Sequence, residues 1–417
     1  MTKRVCALVL TLMLMVSGGS GVLAQDASPR AGASAASPEA GTDGVDLAAM
    51  TLDSSVMPEG YTYASERYIN LDEMAEQYVG MGAVDSVEAF QTLNIVGHYE
   101  SYYATEDSSD DIRSYVIEYE TPATVQAGFD LLEDEGRTIP QEAGTWEDEP
   151  GLEGVGQEPS EVTTATFSGD NGPAGTNVDI TFRVGRFHVG VAASAYGEGA
   201  TIDRDQLEEL AAALEERVTA VLAGEQIAGI DETLPSLVPP LDSPFHNEGY
   251  QTADDAFQEQ VDAVDVDTFV SAYTRNASFA PEQLSPAPVL LLGVARFTDS
   301  QVTRDLLERA DDTLPAQGEY ERAEVDEVAG HPAAGYTAVS GFGGGEPDSF
   351  RVVVAADDLL LLVEVLGVVS VEEAEQLALG FAEDAVACAT DGESCGPFAL
   401  PADLAVPAAT PQATPQA

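Results

Sequence analysis

Lysine is almost missing from this sequence: Lys3 is the only one in 417 residues, and 16 Lys plus Arg face 74 Asp plus Glu. Nucleic-acid binding depends on neutralising phosphates with Lys and Arg, so that class of partner is excluded. Anionic membrane surfaces repel such a chain for the same reason. An S-x-x-K nucleophile cannot be built without lysine, and no G-x-S-x-G elbow is present. Histidine is scarce as well. His98, His188, His246 and His331 form neither an H-x-x-x-H nor an H-E-x-x-H pair, so local spacing supports no metal site. Long apolar runs are missing after the N-terminus. Leu359 to Val369 is short and interrupted by Glu364, against the roughly 20 residues that a spanning helix needs.

Other features are present but do not make a site. The run Glu106-Asp107-Ser108-Ser109-Asp110-Asp111 lacks the D-x-D-x-D-G order of a calcium loop. The segment GFGGGE, residues 341–346, lies between two strand-like stretches rather than between a strand and a helix, so it reads as an inter-strand loop. Carboxylates are so frequent that no pair stands out as a general acid and base. Trp146, the single tryptophan, reads as an edge cap of the core or a rim contact. The expectation is no catalytic residue, no cofactor and no metal ligand.

The N-terminus carries an export signal: Lys3 and Arg4, an apolar run from Val5 to Val16, then Val22-Leu23-Ala24 before the expected cleavage. Cys6 is badly placed for lipid attachment. Cys388 and Cys395 are then the only cysteines left, and in an oxidising compartment they are expected to pair. Closing so short a loop contributes about 2–3 kcal/mol in the chain-entropy model. A redox role is the alternative, though such pairs usually show C-x-x-C spacing.

Composition divides the rest. Residues 1–24 are the signal, 25–55 a flexible linker, 56–224 a first domain, 225–244 a proline-rich linker, 245–398 a second domain and 399–417 a disordered tail. The two domains share an order of features. Glu59-Gly60-Tyr61 recurs as Glu248-Gly249-Tyr250, Val87-Glu88-Ala89-Phe90 as Val266-Asp267-Thr268-Phe269, and Phe182-Arg183-Val184 as Phe350-Arg351-Val352. Each has a first helix, capped at Thr121-Pro122 with Val125, Phe129 and Leu132 on one face and ended by Gly136, or capped by the Thr298/Gln301 pair. Each has a closing helix, opened by Asp203/Gln206 or by Ser370/Glu373. The stretch TFRVGRFHV, 181–189, alternates around Gly185-Arg186 and predicts a hairpin, with Arg183 and His188 on a solvated face. The fold class expected is α+β: two tandem domains, each an antiparallel sheet with helices packed on one face.

The strand followed by a T-x-x-x-V helix, then FRVGRFHVGV and DQLEELAAALEERVTAVL, resembles the small sensor-like domains of exported actinobacterial lipoproteins. It is also similar to the extracellular domains of bacterial receptor serine/threonine kinases. The resemblance covers the last hundred or so residues of each copy and rests on pattern. It implies an extracytoplasmic α+β domain, often disulfide-braced, with a binding or sensing role. The chain departs from these families in lacking a lipid-attachment cysteine, a kinase and a membrane segment, and no ligand residue carries over.

The leading expectation is a secreted, non-enzymatic binding or sensing protein, extracellular or associated with the cell surface. Its partner would be a small apolar ligand or a cell-envelope protein; the aliphatic runs PVLLLGV and LLLLVEVLGVV read either as a fully internal core or as the candidate surface for it. A structural envelope or matrix protein with acidic flexible tails is the first alternative. A hydrolase whose site forms only in three dimensions is the second.

Overall fold

The computed structural model describes residues 45–69, 71, 74–75, 86–105, 108–138, 144–167, 174–197, 199–240, 245–257, 268–278, 289–318, 320–339, 349–367, 370–391 and 395. The chain divides into two compact units between Ile230 and Asp231.

The first unit runs β1 (Tyr61–Tyr68), α1 (Val87–Gln91), β2 (Ile95–Thr105), β3 (Asp110–Tyr119), α2 (Pro122–Thr138), β4 (Gly144–Pro150), β5 (Gln157–Phe167), β6 (Gly175–Val184), β7 (Phe187–Tyr196) and α3 (Arg204–Leu222). Its strands form one antiparallel sheet in the order β1-β2-β3-β7-β6-β5-β4. The second unit runs β8 (Phe245–Gln251), α4 (Ala253–Phe257), β9 (Phe269–Ser278), β10 (Val289–Phe297), α5 (Ser300–Gln317), β11 (Tyr320–Ala323), β12 (Glu327–Val328), β13 (His331–Ala338), β14 (Phe350–Ala356), β15 (Leu359–Leu366) and α6 (Val371–Asp391). Its main path, β11-β13-β14-β15-β10-β9-β8, is the same order read from the other edge, with β12 added beside β13. The α+β class and the two antiparallel sheets are therefore as the sequence predicts.

The placement of the helices differs from that expectation, because they cover both faces. In the first unit α3 buries Leu207, Leu210, Leu214 and Val218 against β6 and β7. The Leu52 N–H donates to Ser114 Oγ on that same side, and Arg217 of α3 donates to the carbonyl of Ala49. On the opposite face, Phe129 of α2 stacks on His188 of β7 at 4.0 Å. In the second unit α5 packs Leu307 and Leu314 against Val353 and Ala355, while α6 lies on β14 and β15. All seven residues of β14 are buried. A strand covered on both faces reads as a continuous apolar run rather than an alternating one. Of the two readings of the aliphatic runs, internal core and ligand surface, the structure shows core: Leu290, Leu292, Val294, Leu361, Val363 and Val365 are all essentially inaccessible.

Several boundaries are corrected by packing. Leu47, Ala48, Ala49, Met50 and Leu52 are buried, so the segment assigned to a flexible linker belongs to the first unit from there on. Leu234 and Val238 of the proline-rich stretch are buried too, and Arg296 pairs with Asp231. Four prolines break regular helix and strand, yet a short 3₁₀ turn, Leu234–Leu237, still fills a core. The closing-helix caps form as read, with Asp203 accepting from Gln206 N and Ser370 Oγ from Glu373 N. In α5 the N-cap is Asp299 rather than Thr298, and α2 runs through Gly136 to Thr138.

The two hairpins of the recurrent triplet are equivalent, but the triplets are not. Val184 pairs with Phe187 across the Gly185-Arg186 turn, and Ala356 pairs with Leu359 across Asp357-Asp358. Gly185 and Asp357 each hold the left-handed φ, 61° and 54°, that a two-residue turn needs. Matching the turns sets a shift of 172 residues (Val184 to Ala356), not the 168 that superposes the Phe-Arg-Val triplets.

Candidate functional site

Pairing registers place an unusual set of side chains on the α2 side of the first sheet. Residues opposite one another in a ladder share a face, so the registers define rows across the strands. One row reads His98, Ile117, His188 and Arg183 on β2, β3, β7 and β6. The next reads Arg67, Glu100, Tyr115, Gly190, Thr181 and Glu161, beginning on β1 and ending on β5. The third reads Tyr102, Arg113, Ala192, Asp179, Thr163 and Asp148. The fourth contains Asp111, Ser194 and Asn177.

Geometry ties the rows together. Tyr115 donates its hydroxyl to both oxygens of Asp179 at 3.1 Å, and its ring lies over the bare backbone of Gly190. A Cβ on that glycine would stand 2.3 Å from the ring, so only glycine admits the tyrosine. The rings of His98 and His188 flank Tyr115 edge-on, at 6.2 and 6.0 Å. Arg113 places its guanidinium 5.1 Å from the Tyr115 centroid and pairs with Glu100 at 3.7 Å, which Arg67 also reaches at 3.2 Å.

Burial shifts these groups in opposite directions. Desolvation holds His188 down at about 3 and His98 at about 4, so both imidazoles are neutral at pH 7. Neither nitrogen of either ring has a hydrogen-bond partner. Desolvation raises Asp179 to about 6, outweighing the attraction of Arg113 and the bond from Tyr115. Asp111 is also raised by burial, although the hydroxyls of Tyr102, Ser194 and Tyr196 donate towards it. Its Oδ2 has no partner. Glu100 is lowered, because Arg113, His98 and Arg67 together overcome its burial. Perturbed groups concentrate at functional sites, and buried polar atoms without partners are few in folded proteins.

The sequence-predicted candidates fare differently. His188, expected on a solvated face, is fully buried under α2, and Arg183 beside it is half-buried. Alternation alone identified the face correctly but not that a helix covers it. Cys388 and Cys395 are bonded, with an S–S distance of 2.11 Å and Cα atoms 5.2 Å apart. GFGGGE and the Glu106-Asp107 pair fall outside the described residues, as does the side chain of Trp146. Among the described residues no group of three His, Cys, Asp or Glu could hold a metal ion, and no helix is long and apolar enough to cross a membrane. Sequence reasoning singled out neither Asp179 nor Arg113, and met Tyr115 only as a strand residue and Asp111 only as part of an acidic run. Only strand register brings them together, although Asn177, Asp179, Thr181 and Arg183 at every second position of β6, with Asp111 and Arg113 on β3, were a readable signal.

No family model matches the chain and no curated protein matches it. Among solved structures it is similar to the extracellular domain of PknH from Mycobacterium tuberculosis, at 14% identity and a TM-score of 0.28, covering 42% of this chain and 94% of that one. It is also similar to DynU16, a putative protein in the dynemicin biosynthetic locus, at 10% identity and a TM-score of 0.13, covering 80% of this chain and 99% of that one. Likenesses at this level carry no residue or activity from one protein to another.

Proposed function

We propose that the protein is a secreted, non-enzymatic binding or sensing protein whose ligand seats on the α2-side polar face of the first unit. The observation that carries this reading is the set Asp179, Tyr115, Arg113, Asp111, His98 and His188 on one sheet face. Its polar atoms are arranged at a cost to the fold and incompletely satisfied within it. Ligand sites combine mostly apolar and aromatic walls with a few placed polar groups, and Tyr115, Tyr102 and Phe129 supply the aromatic part. A purely structural face would be expected to resemble the second unit, where the matching positions are mainly aliphatic. The export signal and the acidic, lysine-poor composition favour a location outside the cytoplasm.

Native mass spectrometry of the protein purified from its source tests the reading. A retained small molecule is expected, lost when Ser194→Leu adds bulk beside Asp111 and Asn177. A protein that retains nothing and binds nothing from its own medium is a scaffold instead.

A further inference from the structure

The same face also indicates which ligand chemistry fits it. Arg67 and Arg113 both pair with Glu100, whereas Asp179 receives its two hydrogen bonds from Tyr115, an uncharged donor. Asp111 is 5% exposed and its Oδ2 has no partner. These two carboxylates stand on β3 and β6, with β7 between them, so their backbones are about 10 Å apart across the sheet. They are also offset by one row, since Asp111 pairs with Ser194 and Asp179 with Ala192. The intervening strand presents only Ala192 and Ser194, leaving a floor of small side chains. The hydroxyls of Tyr102 and Tyr196 hydrogen-bond Asp111 and that of Tyr115 bonds Asp179, so aromatic side chains adjoin both carboxylates. Arg113, in the row of Asp179, attracts both carboxylates without outweighing their burial, and its guanidinium also pairs with Glu100 and lies over the Tyr115 ring.

We infer that the ligand of this face is a short aliphatic diamine or polyamine, one ammonium on Asp179 and the other on Asp111. The inference rests on the binding reading above and specifies its ligand class. A chain with 74 acidic residues also draws such cations towards its surface. Other charged or titratable groups face Asp179 from every neighbouring strand: Arg113 and Tyr115 on β3, Glu100 and His98 on β2, His188 on β7, Glu161 on β5 and Asp148 on β4. Both histidines are neutral above pH 5, and an ammonium on Asp179 favours its ionised form. Binding therefore strengthens as pH rises through 6.

Calorimetric titration of the full chain with 1,4-diaminobutane tests this, with 1,4-butanediol as the neutral isostere. The diamine is expected to bind at one site, at least tenfold more tightly at pH 7.5 than at pH 5, and the diol not at all. Asp179→Asn and Asp111→Asn should each weaken it tenfold or more. Glu216→Gln, an exposed carboxylate on α3, should change nothing. Circular dichroism confirms that each variant is folded. Diamine binding that is multisite, or indifferent to Asp179→Asn and Asp111→Asn, is attraction to the acidic surface and overturns the inference. If the diamine fails but a neutral or anionic molecule is retained and lost in Ser194→Leu, the cation class is wrong and the binding reading stands. If nothing binds and nothing is retained, both fall.

Discussion

The two units share one strand order yet fill the same face with opposite chemistry. With the hairpin turns matched and the ladders followed outwards, His188 corresponds to Leu360, Ile117 to Ala295 and His98 to Ala272. Tyr115 corresponds to Gly293, Gly190 to Leu362, Arg183 to Ala355 and Thr181 to Val353. Only one row keeps charge in the second unit, where Arg351 and Glu364 stand at the positions of Asp179 and Ala192. That pair is complete. Arg351 donates to Glu364 Oε2 at 3.1 and 2.7 Å, Tyr320 donates to Oε1 at 2.9 Å, and the guanidinium lies 4.6 Å from the Tyr320 ring centroid. On this face the second unit satisfies its buried charge pair and is otherwise mainly aliphatic, while the first leaves two imidazoles and a carboxylate oxygen without partners. One fold can carry either arrangement because the backbone ladder, not the side chains on this face, holds the strands in order.

Acid should separate the units most strongly. A histidine whose folded pKa is depressed costs stability as pH falls from its unfolded value near 6.5 towards the folded value, because the unfolded chain takes up the proton first. With His98 at about 4 and His188 at about 3, these two imidazoles are expected to cost the first unit on the order of 5 kcal/mol between pH 7 and pH 4, offset in part by Asp179, whose raised pKa acts in the opposite direction. The matched positions in the second unit, Ala272 and Leu360, contribute no such term. Hydrogen exchange resolved by segment at the two pH values checks this. His188→Leu, which copies Leu360, should blunt the loss, and equal acid sensitivity in both units would break the comparison.

The buried ion pair of the second unit should show the complementary behaviour. Arg351→Met leaves Glu364 buried without its cation and is expected to cost about 3–5 kcal/mol. The double change Arg351→Met with Glu364→Leu should recover most of that loss, since an aliphatic pair suits the surrounding Val353 and Leu362. Denaturant melts of the single and double variants decide it, and a double variant as unstable as the single one would show that the pair is needed for more than neutrality.

The smallest effect sharpens the assignment of the first unit. Asp179 has a raised folded pKa, so its burial costs nothing below about pH 3.8 and reaches its full cost above about pH 6. Asp179→Asn should therefore stabilise the unit by about 1–3 kcal/mol at pH 8 and leave it unchanged at pH 3.5. A destabilisation at pH 8, read by thermal melts, would identify Asp179 as a structural anchor rather than a group held ready for a ligand.

Much of this molecule was determined by its sequence alone. Alternation over Ile180 to Val191, the Gly185-Arg186 turn, the capping residues Asp203 and Ser370 and the stripe from Leu207 to Val218 specify hairpins and helices, because each depends on neighbours within a turn or two. The order of those elements in both halves was equally legible. Tertiary structure decided the rest. Whether an alternating strand faces water or a second helix depends on a chain segment far away, and so His188 proved buried and the runs around Leu292 and Leu361 proved to be core. The face itself was out of reach for the same reason. Asp179 and Tyr115 are 64 residues apart, and only the ladder through β7 sets their carboxylate and hydroxyl side by side.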